Sequence, residues 1–258
     1  MDIKIIVATH RETLYPSDGC YLPLHVGCEG KPSLGLQGDN TGDNISTKNR
    51  SFCELTGIYW AWKNLDAEYV GMSHYRRYFT KGFRFTNRGR WNAILKKEDY
   101  EKLLKKSDLI LPQKRHYVLE TNRSHYDHAH DPNELQQCEK VIAELIPDAL
   151  DAFHKVMNRR SSHMFNLFIM KRELFDDYCN FIFTILFELE KRIDTTNYDA
   201  YAIRVYGFVS ELLMDVWVEY RHLNYKEQNV SFLGQRNWIR KIIEFLKRKY
   251  LGVRVYRG

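Results

Sequence analysis

Short apolar runs alternate with amphipathic stretches along this 258-residue chain, and that alternation constrains its fold more than any other feature. Three runs, "IKIIVATH", "EYVGMSH" and "DLILP", are bounded by polar residues, as the buried strands of a parallel sheet are. Between and after these runs, apolar residues recur at the spacing of one face of a helix. Strands and helices that alternate at this spacing predict βαβ units and an open α/β sheet.

The predicted helices differ in length and in polarity. They cover residues 43–65, 97–107, 134–157, 171–193 and 207–220, and a further strand is predicted in "HMFNLFIM". Asp43, Asn44 or Ser46 is placed to cap the first helix. The segment 11–40 is rich in Gly, Pro, Ser and Asp and has no sustained period, so we predict a long functional loop there.

The net charge of +6 is concentrated at one end of the chain. Residues 235–258 contain five arginines and three lysines against one glutamate, which leaves residues 1–234 close to neutral. This distribution weakens the case for a broad phosphate-binding surface. We therefore predict two parts, a domain of residues 1–234 and a basic C-terminal amphipathic helix in residues 235–258.

That basic segment separates apolar from charged positions when it is drawn as a helix. Its apolar side is Trp238, Ile239, Ile242, Ile243, Leu246 and Tyr250, and its basic side is Arg236, Arg240, Lys241, Lys247 and Arg248. A basic amphipathic helix with an interfacial tryptophan is typical of a segment that lies on an anionic membrane. A terminal helix docked on the domain explains the same pattern equally well.

Five scattered cysteines without a CxxC pair favour a reduced, cytoplasmic protein with free thiols. The chain opens directly on a strand-like run, so we expect no signal peptide. No run of about 18 apolar residues occurs, so we expect no membrane span. The motifs GxGxxG, Walker A, HExxH and GxSxG are absent, which argues against several common enzyme classes.

Cationic and aromatic residues crowd the end of the second strand in "GMSHYRRYF". Its polar members are His74, Tyr75, Arg76 and Arg77, and ligands of open α/β sheets bind where strands end. Neighbours on a strand point to opposite faces, so at most one arginine would enter a given cleft. A guanidinium matches phosphate geometry bidentately. The alternative is a structural ion pair beside a buried core histidine.

Imidazoles and carboxylates are dense in "HYDHAHD", which contains His125, Asp127, His128, His130 and Asp131. Such a set suits a divalent metal, or a diphosphate when the imidazoles are charged. The spacing lacks a second anchoring pair, so metal ligation is not favoured. A solvated loop is the alternative.

A carboxylate and an arginine stand in "RVYGFVSELL". Glu211 falls in the first turns of an apolar helix, whose dipole would hold it ionised, and an ionised carboxylate there can act as a general base for a sugar hydroxyl. A helix-start glutamate without catalytic role is the alternative. Arg204 opens the motif and is predicted to contact a nucleotide.

Amide and carboxylate side chains precede the first helix in residues 39–49. Such groups beside a helix N-terminus can hold a ribose or a pyrophosphate. The candidates are Asp39, Asn40, Asp43, Asn44, Ser46, Lys48 and Asn49. Helix capping explains some of them. Thr9 and His10, at the end of the first strand, are predicted to hold nucleotide and sugar.

Seven strings together resemble one family: "KIIVATH", "YLPLHVG", "GDNISTKN", "CELTGIYWAWKN", "GMSHYRRYF", "NLFIM" and "YGFVSELLMDVW". It is the small bacterial glycosyltransferases of capsule, O-antigen and exopolysaccharide gene clusters, first catalogued as a domain of unknown function. The resemblance spans residues 3 to about 220. It implies a GT-A-like fold, a Rossmann-like sheet flanked by helices, with a nucleotide-sugar donor and a lipid-linked glycan acceptor. Some members resemble inverting transferases of galactofuranose from UDP-galactofuranose.

The Asp-x-Asp motif that binds the donor diphosphate through a metal in general GT-A enzymes has no counterpart here. We hypothesise that cationic side chains replace the metal in neutralising the leaving diphosphate. The predicted catalytic residues are Glu211, His74, Arg76 and Arg77. The predicted donor-binding residues are Thr9, His10, Asp39, Asn44, Ser46, Lys48, Asn49, Tyr75, His125, His128 and Arg204, with no metal ligand.

The resulting prediction is a cytoplasmic hexosyltransferase, peripheral at the inner face of the bacterial membrane. Its expected partners are a UDP-sugar and an undecaprenyl-linked glycan, with the membrane contacted through residues 235–258 and no nucleic acid. Two alternatives stay open: a nucleic-acid-binding module, prompted by the pI of about 8.9, and an inactive scaffold of a polysaccharide assembly complex. The oligomeric state is also open, with a homodimer as one option.

Overall fold

A computed structural model describes residues 1–234, in which eleven strands form a nine-stranded mixed sheet and a two-stranded sheet. The strands, in chain order, are β1 (Ile3–Thr9), β2 (Tyr21–His25), β3 (Gln37–Gly38), β4 (Tyr69–His74), β5 (Arg77–Phe79), β6 (Leu109–Pro112), β7 (Arg115–His116), β8 (Ser161–Ser162), β9 (Phe168–Lys171), β10 (Lys226–Gln228) and β11 (Val230–Phe232).

Nine α-helices accompany these strands in the described part of the chain. They are α1 (Asn49–Phe52), α2 (Leu55–Asn64), α3 (Asn87–Asn92), α4 (Lys97–Leu104), α5 (Asn122–Ala129), α6 (Pro132–Leu145), α7 (Leu150–Asn158), α8 (Arg172–Arg192) and α9 (Val205–Tyr220). Short 3₁₀ turns occur at Ser46–Lys48, Pro147–Ala149 and Ala202–Arg204.

The large sheet runs in the order β10-β6-β9-β4-β1-β2-β3, and the hairpin partner β5 leaves β4 to pair with β11. β1 is parallel to both neighbours, and its Ile5 lies opposite Tyr21 of β2 and Gly71 of β4. β9 is antiparallel to β4 and β6. Because β1 and β4 are parallel, both end at the same edge of the sheet, where Ala8 is opposite His74.

Both faces of the sheet are covered, which explains the continuous apolar sequence of β1. Ile6 and Ala8 belong to a core that includes helices α2 and α6–α9, whereas Ile3, Ile5 and Val7 pack with α4 in a second core. Successive side chains of a strand point to opposite faces, so each face receives alternate residues of β1. The predicted α/β sheet flanked by helices is therefore present.

The segment 11–40, predicted as a loop, contains two further strands. Tyr21–His25 pairs in parallel with β1, and Gln37–Gly38 pairs with that strand in turn. The loop prediction is wrong for these residues. Pro23 interrupts the apolar run in the sequence, but pairing with β1 still buries Tyr21 and Leu24.

Three predicted elements are interrupted by special backbone conformations. The helix predicted over residues 43–65 breaks at Cys53, whose φ is +52°, and continues as α2. The predicted helix 134–157 divides at the Pro147–Ala149 turn. The strand predicted in "HMFNLFIM" shrinks to Phe168–Lys171, because Phe165 and Asn166 adopt φ values of +79° and +48°. These positive φ values leave the extended conformation that a strand requires.

The stretch "GMSHYRRYF" forms a hairpin instead of one strand. β4 ends at His74, Tyr75 and Arg76 make the turn, and β5 begins at Arg77 opposite His74. The prediction that the two arginines alternate along one strand is wrong. A turn lets both cationic side chains stay at the same edge of the sheet.

The amphipathic helix predicted in residues 235–258 lies outside the described residues, and the domain boundary at residue 234 stays a prediction. Within residues 1–234, no helix combines the length and apolar character that crossing a membrane requires. All five cysteines lie in this part and none forms a disulfide, in agreement with the predicted free thiols.

Candidate active site

A cavity of about 1250 Å³ opens beside the ends of β1 and β4, and we call it the edge cavity. Its polar lining includes His10, Asn49, Arg50, Cys53, Glu54, His74, Tyr75, Arg76, Arg77, Arg115, His116, Tyr117, Glu120, His125, His130, Tyr201, Arg204 and Glu211. The location agrees with the rule that open α/β sheets bind ligands where strands end. Its size is sufficient for a ligand larger than a single sugar.

All four predicted catalytic residues line the edge cavity: His74, Arg76, Arg77 and Glu211. They come from the β4–β5 hairpin and from helix α9, and Glu211 follows Arg77 by 134 positions in the chain. Predicted donor-binding residues also line it, namely His10, Asn49, Tyr75, His125 and Arg204. The tertiary structure thus brings most of the predicted site together, and the roles of these residues stay predictions.

Glu211 has a strongly altered acidity. Burial, and then the negative charge of Glu54, raise its pKa to about 7 overall, against the opposing effects of Arg77, the Phe165 N–H group and Arg204. The prediction that the helix dipole holds this carboxylate ionised is wrong. Glu211 lies in the second turn of α9, beyond the first turn where the dipole acts, and burial dominates.

The backbone of Phe165 connects His74 with Glu211. The Nε2 atom of His74 donates a hydrogen bond of 2.8 Å to the Phe165 carbonyl oxygen, and the Phe165 N–H group bonds the Glu211 carboxylate. Since a carbonyl only accepts, the Nε2 atom carries the proton. Burial lowers the pKa of His74, only partly offset by Glu54, so this imidazole is neutral near pH 7.

Phe165 holds this position at a conformational cost. Its φ of +79° is rare for a bulky residue, and such strain of about 1–3 kcal/mol persists where the surrounding contacts determine it. The Arg77 guanidinium lies 4.4 Å from the centre of the Phe165 ring. Backbone and ring of one strained residue therefore contact three groups of the cavity.

Sequence reasoning missed Glu54 as a site residue. Its Oε1 atom accepts a hydrogen bond of 2.8 Å from Asn166 Nδ2 and lies 3.7 Å from His74 Nε2. Asn166 is itself held by Ser210, whose hydroxyl donates to Asn166 Oδ1 at 3.1 Å. Glu54 stands between the two short helices α1 and α2, and the string "CELTGIYWAWKN" that contains it carries the family resemblance without marking any of its residues as functional. Its neighbour Cys53 with positive φ directs it toward the cavity.

Cationic side chains border the cavity near the hairpin. The Arg76 guanidinium lies 4.9 Å from the Tyr75 ring centre, and Arg204 Nε donates to Cys53 Sγ at 3.2 Å. His10 packs edge-to-face on Tyr75 at 5.4 Å. Burial, and then the charges of Arg11 and Arg76, lower the pKa of His10. The arginines around His10 make this part of the site rich in positive charge, which favours an anionic ligand.

The histidine-rich segment forms helix α5, and a carboxylate binds two of its imidazoles. Glu120 accepts hydrogen bonds from His125 Nδ1 at 2.7 Å and His128 Nδ1 at 3.0 Å. Burial raises the pKa of Glu120, but these bonds outweigh it and lower the pKa overall. His125 also stacks on Tyr117 at 4.1 Å. His128 lies outside the lining of the cavity.

No group of three or more His, Cys, Asp or Glu side chains in residues 1–234 is arranged to hold a metal ion. The edge cavity is lined mainly by guanidinium, imidazole and aromatic groups, with Glu54, Glu120 and Glu211 as its carboxylates. Glu120 is occupied by two imidazoles, as described above.

Several predicted donor-binding residues take part in a buried network outside the cavity. Asp39 is fully buried and accepts hydrogen bonds from Gly27 N at 2.7 Å and Thr56 Oγ1 at 2.6 Å. The Ser46 hydroxyl donates to the same carboxylate. This network fastens the turn after β2 to helix α2, so Asp39 and Ser46 support the cavity wall without reaching the cavity.

Three further predicted residues also point away from the cavity. Lys48 Nζ pairs with Glu190 of α8 at 2.7 Å. Asn44 Oδ1 accepts from Ser46 N at 3.1 Å, a local turn contact. Thr9 is fully buried and its hydroxyl donates to the Arg11 carbonyl at 2.8 Å. Each of these side chains already has a partner within the protein. Their contacts with the sugar-nucleotide donor stay predictions.

The chain belongs to a family described as a domain of unknown function, DUF4422, whose model matches residues 4–222. A solved structure, the apo form of the bifunctional glycosyltransferase WbbM, matches it with a TM-score of 0.84 and 28% sequence identity. The match covers 91% of this chain and 46% of WbbM, so the chain spans about half the length of that protein. No curated protein matches the sequence. The predicted glycosyltransferase fold is confirmed.

Proposed function

We propose that this protein is a glycosyltransferase that transfers a hexose from a UDP-sugar to a glycan acceptor in cell-surface polysaccharide synthesis. One observation supports the proposal most directly. A carboxyl group with a pKa of about 7, Glu211, and the guanidinium groups of Arg76 and Arg77 line one cavity. The likeness to the bifunctional glycosyltransferase WbbM supports it further.

Glu211 is the general base of this proposal. A base is most effective when its pKa lies near the working pH, and burial with the adjacent charge of Glu54 brings Glu211 there. It removes the proton of the acceptor hydroxyl as the oxygen attacks the anomeric carbon. The bond from that carbon to the UDP oxygen breaks on the opposite side, so the configuration inverts.

Arg76 and Arg77 stabilise the leaving diphosphate. Charge develops on the phosphate oxygens as the glycosidic bond breaks, and fixed cations aimed at that position lower the barrier. Arg77 is held at Phe165, and Arg76 is the exposed turn residue on Tyr75. His74, a neutral donor, holds the backbone of Phe165, whose N–H group bonds the Glu211 carboxylate. This arrangement needs no divalent metal.

Aromatic rings on the α5 and α9 side of the cavity provide a place for the acceptor. Phe208 lies 4.4 Å from His130 and 5.0 Å from Tyr201, measured between ring centres, and all three line the edge cavity. Rings with polar tips pack against the apolar faces of sugars while they hydrogen-bond hydroxyl groups. We assign the acceptor glycan to this cluster and the donor to the hairpin side.

The finer assignments follow from the family resemblance. The donor sugar is galactofuranose or galactose, and the acceptor is an undecaprenyl-linked glycan at the inner face of the bacterial membrane. Residues 235–258, with their basic and apolar sides, are proposed to lie on that membrane. Confinement of enzyme and acceptor to one surface raises their effective concentration.

A donor screen tests the proposal. UDP, UDP-galactofuranose and UDP-galactose should raise the melting temperature, because a ligand that binds only the folded state stabilises it. GDP- and dTDP-sugars serve as controls for the nucleotide. Turnover on a synthetic lipid-linked acceptor, with the anomeric configuration of the product determined by NMR, then identifies the reaction. Stabilisation by UDP without any turnover would favour an inactive scaffold, and no stabilisation by any sugar nucleotide would overturn the proposal.

A further inference from the structure

Residues 81–92, which follow β5 and which we call the Phe83 loop, expose two aromatic rings to solvent. Phe83 is 68% exposed and Phe85 is 85% exposed, and their rings meet edge-to-face at 4.9 Å. Single exposed apolar side chains are ordinary, but two adjacent phenylalanines exposed to this extent form a patch. Phenylalanine has no polar tip that would compensate for this exposure.

The same loop is strongly basic. Its sequence, "KGFRFTNRGRWN", contains four basic residues and no acidic one. Lys81 pairs with Asp99 at 2.7 Å. Within residues 1–234, no salt bridge involves Arg84, Arg88 or Arg90. The Phe83 loop therefore combines exposed rings with three cationic side chains that no carboxylate of the described chain pairs with.

Internal hydrogen bonds hold the loop in this conformation. The Thr86 hydroxyl accepts from Gly89 N at 3.0 Å, which caps helix α3. Arg90 Nε donates to the Arg84 carbonyl at 2.9 Å, and Lys81 N bonds the Ala93 carbonyl at 2.8 Å. These contacts close the loop on itself. The two phenylalanines project from a fixed scaffold, so little further ordering is required when they bind.

The Phe83 loop is joined to the border of the edge cavity through Phe232. Arg90 Nη1 donates to the Phe232 carbonyl at 3.1 Å. The ring of Phe232 lies 5.6 Å from the Arg76 guanidinium and 5.8 Å from that of Arg77. Asn87 of the loop accepts a bond of 3.4 Å from Gly234 N, where the described chain ends. The loop therefore lies beside the hairpin that borders the cavity, where the basic sequence of residues 235–258 begins.

We propose that the Phe83 loop is a membrane-docking surface for anionic lipid, inserting Phe83 and Phe85 at the interface while the exposed Arg84 and Arg88 bind lipid head groups. Basic residues next to inserted aromatic side chains are the composition that anionic interfaces bind. Each arginine near such a surface strengthens binding roughly fivefold. Docking would place the hairpin edge of the cavity next to the bilayer.

The geometry favours lipid over nucleic acid. Bases stack on open ring faces, with several stacking positions along a groove. Here Phe83 and Phe85 pack edge-to-face on each other, so they do not form a row of parallel stacking positions. Phenylalanine also offers no hydrogen-bonding group to a base edge. At a lipid interface, by contrast, both phenylalanine rings can be buried together at the boundary between head groups and acyl chains. The charge of the surface complements an anionic head-group layer.

Vesicle co-sedimentation of the full chain tests this surface. We expect binding to vesicles of phosphatidylglycerol and phosphatidylcholine, and little binding to phosphatidylcholine alone. The double variant F83S/F85S should weaken partitioning by roughly tenfold or more, because two apolar rings no longer become buried. Arg84→Gln with Arg88→Gln should weaken it roughly thirtyfold, from about 1 kcal/mol per basic residue. The charge-matched control is Lys105→Gln with Lys106→Gln, two exposed lysines at the end of α4, where binding should stay unchanged.

The outcome does not depend on the proposed reaction, since vesicle binding is measured without donor or acceptor. Melting temperature, with and without UDP, confirms that each variant is folded and separates loss of docking from loss of the active site. Unchanged sedimentation of F83S/F85S would overturn the proposal and leave residues 235–258 as the membrane contact. Oligonucleotide binding is measured in parallel by fluorescence anisotropy. If the parent chain binds an oligonucleotide but no vesicles, and F83S/F85S loses that binding, the membrane proposal is overturned in favour of nucleic acid.

Discussion

The Nε2 atom of His74 lies 3.7 Å from the Oε1 atom of Glu54, although the two residues belong to different elements, β4 and the start of α2. Both contact the turn at Phe165 and Asn166, which also reaches Glu211. Glu54 therefore adds negative charge beside a carboxyl group whose pKa burial has already raised. A negative charge that opposes ionisation of a neighbouring carboxyl group is a usual way of tuning a base toward neutral pH.

Replacement of Glu211 with glutamine should abolish transfer while leaving the donor bound. Removal of a general base lowers kcat by roughly 10²- to 10⁴-fold. Stabilisation by UDP should persist, because the amide keeps the shape of the side chain. The control is Glu219→Gln on the same helix, a residue that pairs with Arg159 outside the cavity. Full turnover by E211Q would show that another group is the base.

The same substitution should stabilise the fold at alkaline pH. The pKa of Glu211 rises from 4.5 to about 7 in the folded state, so the folded protein binds the proton more tightly than the unfolded chain. Stability contributed by the protonated carboxyl is complete below pH 4.5 and is lost as pH rises through about 7. At pH 8, E211Q should therefore be more stable than the parent by roughly 3 kcal/mol, and at pH 4.5 by little. Urea unfolding at both pH values measures this difference, and an equal effect at both would contradict it.

Glu54→Gln should move the acid limb of the rate profile. The negative charge of Glu54 raises the pKa of Glu211, so its removal lowers that pKa and leaves the base ionised at lower pH. We expect kcat plotted against pH to retain activity further into the acid range than in the parent. Glu188→Gln, on α8 outside the cavity lining, is the control. A profile that stays in place while activity falls would indicate that Glu54 has only a structural role.

Arg77→Ala should weaken binding of the sugar nucleotide. A hydrogen bond to a charged group contributes about 1.5–3 kcal/mol, so we expect the Kd for UDP to rise roughly tenfold to hundredfold. Arg77→Lys should recover part of the affinity, because it restores charge without the bidentate fork. Lys105→Ala controls for loss of one positive charge. Since cationic side chains are proposed to neutralise the diphosphate, transfer should continue in EDTA, and strict dependence on added manganese would contradict this role of the arginines.

Gly71→Ala should destabilise the sheet that carries the hairpin. A Cβ atom at Gly71 would lie 2.8 Å from Ile169 Cγ1 and 3.0 Å from Ile5 Cγ1, with both faces of the strand packed. Overpacking of this kind costs about 1–3 kcal/mol. Gly19→Ala is a matched control, since its Cβ would meet nothing within 4 Å. Chemical denaturation should show a lower midpoint for the first variant only, and equal midpoints would mean that the sheet relaxes around the methyl group.

Local pattern predicted the elements whose burial follows a simple period. The apolar run of β1 and the stripe of α8 need no information from elsewhere in the chain, because residues of one element decide which face becomes buried. Prediction failed at Cys53 and Phe165, where positive φ values end a helix and a strand. Neither cysteine nor phenylalanine is a residue type that predicts a positive φ value, and here distant contacts impose that conformation.

The sequence by itself determined the α/β alternation and pointed to the stretch "GMSHYRRYF" and to Glu211 as places of chemistry. Only the tertiary structure brought Glu54 to that site, through a hydrogen bond to Asn166 that spans 112 positions. It also separated Asp39 and Ser46 from the cavity, because several hydrogen-bond donors around Asp39 offset the cost of burying its carboxylate. Residue types reveal which chemistry is available, whereas the acidity of Glu211 depends on neighbours that only folding assembles.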